Sequence, residues 1–174
     1  MASSMASSNT PHDRFIITEP RTPREWEAYY VLRYRILRKP WGAPLGSECD
    51  ELEHSACHQI AIEQSTGRIV GCGRIHRLDD GRAQIRYMAV EDDCRGMGIG
   101  SLLLDSLERW ATEQNIHTIV LNARTSAVAF YQRHGYSTIA PAHTLFGTIE
   151  HVQMQKHLTS PRRAPQDDAH SRDD

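Results

Sequence analysis

The sequence predicts one α+β domain whose mixed, largely antiparallel sheet is flanked by helices. Two observations predict it. Strand-like and helix-like runs interleave without the regular βαβ repetition of a parallel sheet, because at least two strand-like runs come in succession with no helix between them. A glycine-rich turn, Arg95-Gly96-Met97-Gly98-Ile99-Gly100, then joins an alternating β-prone run to a helix. The 174 residues suffice for one such domain with a sizeable core.

The elements follow in order. Phe15-Ile16-Ile17-Thr18 reads as a first strand, and Trp26, Tyr29, Tyr30, Ile36 and Leu37 mark a helix from about Pro23 to Arg38. Two prolines break the next stretch, Pro40 to Gly46, into a loop. His58 to Glu63 and Arg68 to Leu78 form a hairpin around Thr66-Gly67, and Asp79-Asp80-Gly81 turns into a strand from Ala83 to Val90. After the glycine turn, Leu103, Leu107 and Trp110 recur at helical spacing. A strand at 118–123, a helix at 126–134, a strand near Tyr136–Ala140 and a last strand from about Glu150 to His157 complete the domain. Residues 1–12, small and polar, and 159–174, polar with Pro161 and Pro165, read as disordered tails around a domain at 13–158.

A glycine-rich turn between strand and helix leaves backbone N–H groups unpaired at the positive end of the helix dipole, which suits a phosphate or pyrophosphate. A P-loop needs a Gly-Lys-Ser/Thr ending, and no lysine lies nearby. A dinucleotide fingerprint needs a third glycine where Ser101 stands. Arg95, Gly98 and Gly100 instead fit Arg/Gln-x-x-Gly-x-Gly/Ala, which resembles the coenzyme A pyrophosphate loop of the GNAT acetyltransferase superfamily. A second segment is similar to that superfamily's other signature: the strand Ile119 to Ala123, followed by Ala127-Val128-Ala129-Phe130-Tyr131-Gln132-Arg133-His134-Gly135-Tyr136. Asp50-Glu51-Leu52-Glu53, His58, Gly73-Arg74, Leu121 to Thr125 and His151 to Met154 resemble the ElaA-like branch, with Glu150 where that branch carries proline.

The resemblance implies an acyl-CoA N-acyltransferase fold, splayed at the strands around the cofactor, and an acetyl-CoA-dependent N-acetyltransferase without a metal. It implies that the backbone of Met88, Ala89 and Val90 binds the pantetheine arm, with the Met88 N–H facing the thioester oxygen. The amides of Arg95, Gly96, Met97, Gly98, Ile99, Gly100 and Ser101 would bind the pyrophosphate, and Asn122 would contact the cofactor arm. Tyr131 matches the tyrosine that donates to the departing thiolate; its other reading is a packing aromatic. Arg124 stands where many members carry asparagine.

Acetyl transfer also needs a neutral amine. Arg86 occupies the strand where many relatives carry a glutamate base, and arginine cannot serve as one. Glu51, Glu53, His58 and His151, or an ordered water, are the remaining candidates for a base; Arg74, Arg86 and His151 are candidates for the acceptor groove. The acceptor expected is a small-molecule amine. A non-catalytic acyl-CoA-binding or regulatory module, and an acetyltransferase of protein lysines or N-termini, are the alternatives.

Charge near balance, formally −2, and the lack of a basic stripe argue against nucleic acid. The four cysteines form no C-x-x-C pair, and Cys57 and Cys72 read as core thiols. Ten histidines raise the question of zinc, but no H-E-x-x-H spacing occurs and no metal is expected. The N-terminal stretch lacks a secretory signal's basic and apolar regions, and no apolar run spans a bilayer, so the expected setting is cytoplasmic, without a membrane partner. A homodimer is left open.

Overall fold

The computed structural model describes residues 10–145 and 147–159. Seven strands form one sheet in the order β1-β2-β3-β4-β5-β7-β6. They are β1 (Phe15–Thr18), β2 (Cys57–Glu63), β3 (Ile69–Arg77), β4 (Ala83–Val90), β5 (Thr118–Arg124), β6 (Ser137–Leu145) and β7 (Ile149–His157). Every pairing is antiparallel except β4 with β5. The helices are α1 (Pro11–Arg14), α2 (Pro23–Leu37), α3 (Ile99–Glu113) and α4 (Val128–Arg133).

The helix starts follow local chemistry. At α2, the Thr22 hydroxyl accepts from the Glu25 N–H at 3.2 Å, and the Glu25 carboxylate accepts from the Thr22 N–H at 3.0 Å. Pro23 fills the first helical position, where its missing N–H costs nothing. At α3, Leu103, Leu107 and Ala111 are fully buried. Their four-residue spacing puts them on one stripe against the sheet. Each fully buried leucine there contributes about 1.5–3 kcal/mol relative to exposure.

Helix α2 covers one face of the sheet, where Tyr29, Leu32 and Leu37 pack with Ile60, Cys72, Tyr87 and Ala89. Helices α3 and α4 cover the other, where Leu104, Leu107 and Tyr131 pack with Ile75, Ile85, Ile119, Leu121 and Met154. Cys57 and Cys72 are both buried thiols.

Two departures from the sequence reading bear on the site. Residues 10–14 form a capped turn, in which the Asp13 carboxylate accepts from the Thr10 N–H at 3.1 Å and hydroxyl at 2.7 Å. The expected boundary at residue 13 therefore falls inside α1. Strand β6 runs to Leu145, five residues beyond its expected end. It is the sheet's outer strand, where Pro141 and a largely exposed face are tolerated. The remainder of the two expected tails lies outside the described residues. Among the described residues, no helix is long and apolar enough to cross a membrane.

Candidate active site

The site begins at the junction of β4 and β5. These parallel strands pair only through Ala83, Gln84 and Ile85 with Ile119, Val120 and Leu121. Beyond that, β4 continues to Val90 and β5 to Arg124 without pairing to each other. A wedge opens in the sheet, with Met88, Ala89 and Val90 on one side and Asn122 and Arg124 on the other.

A bulge turns β4 away. Cys72 faces Ala89 across the β3–β4 ladder, but Arg74 faces Arg86, so β4 carries one residue more than β3. Tyr87 takes it up in the left-handed region, at φ 58°. This conformation costs a tyrosine on the order of 1–3 kcal/mol. Its ring is held by guanidiniums, Arg33 at 3.8 Å and Arg74 and Arg86 at 4.9 Å each from the ring centre. Such contacts offset the strain by about 0.5–1 kcal/mol apiece when exposed and more when desolvated. The Met88 side chain folds back over Gly73; a Cβ there would meet the Met88 sulfur at 2.6 Å.

The glycine loop ends at the N-terminus of α3. Gly98 caps the helix in the left-handed region, at φ 81°, with no side-chain cap and no acidic residue in the first turn. The leading amides are therefore free to face an anion. Ile99 turns its side chain into the core, and Met97 packs partly against the same cluster. Arg95 is exposed and pairs with Asp92 at 2.9 Å. Ser101 donates its hydroxyl to His134 Nε2 at 2.9 Å, because His134 Nδ1 donates to the Phe130 carbonyl at 2.8 Å. That link fastens α4 to the start of α3. Pro11 of α1 lies against Gly98, 3.2 Å from where a Cβ would stand.

Tyr131 of α4 is 7% exposed, and its hydroxyl has no hydrogen bond among the described residues. Burial pushes it well above the usual tyrosine range, so it is a donor throughout the neutral range.

The acidic stretch and the arginines meet on the α2 face, but not as open groove residues. Arg74 is fully buried, and its guanidinium grips Asp50 at 2.6 and 2.8 Å and Glu53 at 2.6 Å. Arg33, also fully buried, holds the other side of Glu53 at 2.9 and 3.0 Å and donates to the Glu48 carbonyl. Arg86 reaches Asp50 at 2.9 Å from a half-exposed position. Burial alone would raise both carboxyls, but Arg74 holds Asp50, and Arg33 and Arg74 hold Glu53, below the usual carboxylate range. Neither acid suits base work. Arg74, expected in the acceptor groove, is consumed by this network. Glu51 points away as an exposed side chain.

His58 is likewise withdrawn. Its Nε2 donates to the Glu53 carbonyl at 2.8 Å, so Nδ1 is the acceptor, and Tyr29 donates to it at 2.8 Å. Both ring nitrogens are used, and burial keeps the ring below the ordinary histidine range. His54 and His58 stand at H-x-x-x-H spacing. A short helical turn holds His54 and β2 holds His58, so they share no helix face.

His151 is different. Its Nδ1 donates to the Ile149 carbonyl at 2.9 Å, and the His143 backbone also hydrogen-bonds the ring. It stacks on His143 with ring centres 5.1 Å apart and stands opposite Arg124 across the β5–β7 ladder. Burial lowers its pKa, with His143 and Arg124 adding to the effect. Sequence reasoning passed over Tyr29 and Arg33. Their four-residue spacing on the buried stripe of α2 was the available signal, since an arginine there requires a buried carboxylate.

The acetyltransferase (GNAT) family matches residues 23–136. The chain belongs to this family. The uncharacterized N-acetyltransferase YjcF of Bacillus subtilis is 33% identical over 130 residues, covering 75% of this chain and 90% of YjcF. An acyl-CoA N-acyltransferase from Pseudomonas aeruginosa has a similar fold, with TM-score 0.69 and 20% identity over 82% of this chain and 97% of that one. Escherichia coli ElaA does too, with TM-score 0.69 and 18% identity over 82% and 99% of the two chains. A GNAT acetyltransferase from Elizabethkingia anophelis, solved with acetyl-CoA bound, aligns with TM-score 0.66 and 17% identity over 84% and 99%. This GNAT chain is thus an acetyl-CoA-dependent acetyltransferase.

Proposed function

We propose that the protein acetylates the primary amine of a small molecule by direct attack on the acetyl-CoA thioester. The observation that carries this reading is the three-pair β4–β5 junction, which opens beside the uncapped N-terminus of α3. The amides from Arg95 to Ser101 hold the pyrophosphate, and the backbone of Met88 and Val90 holds the pantetheine arm. Asn122 lines the opposite side. The Met88 N–H, turned by the bulge, stabilises the oxygen that becomes negative during attack.

His151 Nε2 takes the proton from the attacking amine. The N–C bond forms, the C–S bond breaks, and the Tyr131 hydroxyl protonates the departing thiolate. A tyrosine that stays protonated at neutral pH and has no competing partner suits that step. Arg86 stays at the mouth of the site, tied to Asp50.

The test is release of free thiol from acetyl-CoA by purified protein, with and without a panel of small amines. Amine-dependent release together with the acetylated amine supports the reading. Coenzyme A binding with no amine-dependent turnover means a binding module. Acetylation confined to peptide lysines or N-termini means a protein-modifying enzyme.

A further inference from the structure

Arg124 ends β5 in the part of the strand that β4 has left, and its side chain turns to the α2 face. Neighbouring residues Leu121 and Ala123 fix this direction, since both pack into the core under α3 and alternate with Arg124. The guanidinium is half-buried and lies 5.9 Å from the ring centre of Trp41. Among the described residues it forms no hydrogen bond and no ion pair with any carboxylate. Its electrostatic neighbours are Arg38 and Arg95, which with burial lower its affinity for a proton.

Three other guanidiniums on this face differ. Arg33, Arg74 and Arg86 each have a carboxylate. A desolvated cation next to further cations, with only an aromatic face for company, is costly unless an anion joins it. That corner also holds the ring of His151, the residue paired with Arg124 across the ladder. Arg95 of the glycine turn is among the electrostatic neighbours of Arg124, so Arg124 stands at the same end of the wedge as the α3 amides, and the test below separates an acceptor carboxylate from the cofactor's phosphates.

We propose that the acceptor amine also carries a carboxylate, and that Arg124 receives this carboxylate beside Trp41 while the amine faces His151. This rests on the acetyltransferase reading above and narrows its acceptor to amino-acid-like molecules. Guanidinium and carboxylate match as a two-pronged pair. The same anchor orients the amine toward the thioester.

The test compares amino acids with their carboxamides and with phosphorylated amines of equal length, using the wild type, Arg124→Gln and Arg124→Lys. In the wild type, kcat/KM for the carboxylate should exceed that for the carboxamide by at least about tenfold, in line with loss of a charged hydrogen-bonded pair. Arg124→Gln should abolish that preference, mainly by raising KM for the carboxylate. Arg124→Lys should keep part of it. A second arm needs no turnover: calorimetric titration of the same amines into protein saturated with coenzyme A. There the wild type should bind the carboxylates and Arg124→Gln should not. This arm decides the acceptor class even if no amine is acetylated, an outcome that would sink only the catalytic reading. An unchanged preference in Arg124→Gln overturns the proposal. So does weakened coenzyme A binding with preference intact, which would assign Arg124 to the cofactor's phosphates. Stronger binding of phosphorylated amines overturns the carboxylate class.

Discussion

Arg74 grips Asp50 with both terminal nitrogens, Nη1 on Oδ1 at 2.6 Å and Nη2 on Oδ2 at 2.8 Å, and the arginine is fully buried. Asp50→Asn keeps the shape and removes the charge. Breaking a buried pair by one partner costs about 3–5 kcal/mol, so the variant should unfold at markedly lower denaturant. Asp50 and Glu53 are both held below their unfolded values. Their stabilisation is fully present above about pH 4.3, the unfolded range, and is lost as pH falls toward the folded values. Denaturant titrations should show wild-type stability falling below that pH, with a shallower fall in Asp50→Asn. A variant as stable as the wild type would mean that the network is not a folding element.

The glycine turn, proposed to hold the coenzyme's pyrophosphate, tolerates little at Gly98. Its φ is 81°, and a Cβ would meet Pro11 at 3.2 Å. Gly98→Glu adds a side chain and a negative charge where phosphate should sit. Calorimetry should show coenzyme A affinity reduced by at least about tenfold, the effect of roughly 1.4 kcal/mol. Unchanged affinity in a folded variant removes the pyrophosphate assignment.

Tyr131→Phe deletes one hydroxyl and keeps the ring against Phe130 and Tyr136. General-acid assistance is worth about 10²–10⁴-fold. Turnover should fall by at least about tenfold, with coenzyme A affinity nearly unchanged, the pattern of a group acting in the transition state. Equal turnover would make Tyr131 a packing residue.

The base proposed at His151 would set an acidic limb. Burial, His143 and Arg124 favour its neutral form, so its folded pKa lies below the ordinary 6.5. As a base it stays competent at neutral pH and loses activity only as pH falls through that lowered value. The pH profile of kcat/KM should therefore bend below about pH 6.5. His151→Gln should lower the rate and erase that bend. A bend that survives the substitution belongs to another group.

Much of this was legible in the sequence where the signal is local. The bounds of β1 and β4 are those expected, because alternation and turn residues fix them without help from the rest of the chain. Arg95 to Gly100 was legible for the same reason. The left-handed Tyr87 was not, since nothing in Arg86-Tyr87-Met88 marks a bulge; two of the guanidiniums around its ring, Arg33 and Arg74, come from distant positions. The fates of Arg74 and His58 also depend on partners, Asp50 and Tyr29, that sequence spacing cannot assign. Strand β6 was cut short because an outer strand with Pro141 carries a weak hydrophobic pattern.

The brevity of the β4–β5 junction has a consequence for how ligand binding can be watched. Three residue pairs join the two strands, and beyond them the alternate amides that turn away from β3 and β7 face an opening rather than a neighbouring strand. Those protons should exchange with deuterated solvent quickly in the free protein, while amides inside the long antiparallel β5–β7 ladder should not. A bound thioester fills the opening and slows them. Residue-resolved deuterium uptake along 86–90 and 122–124 would then trace how far a ligand reaches into the sheet, without a chromophore, a label or turnover.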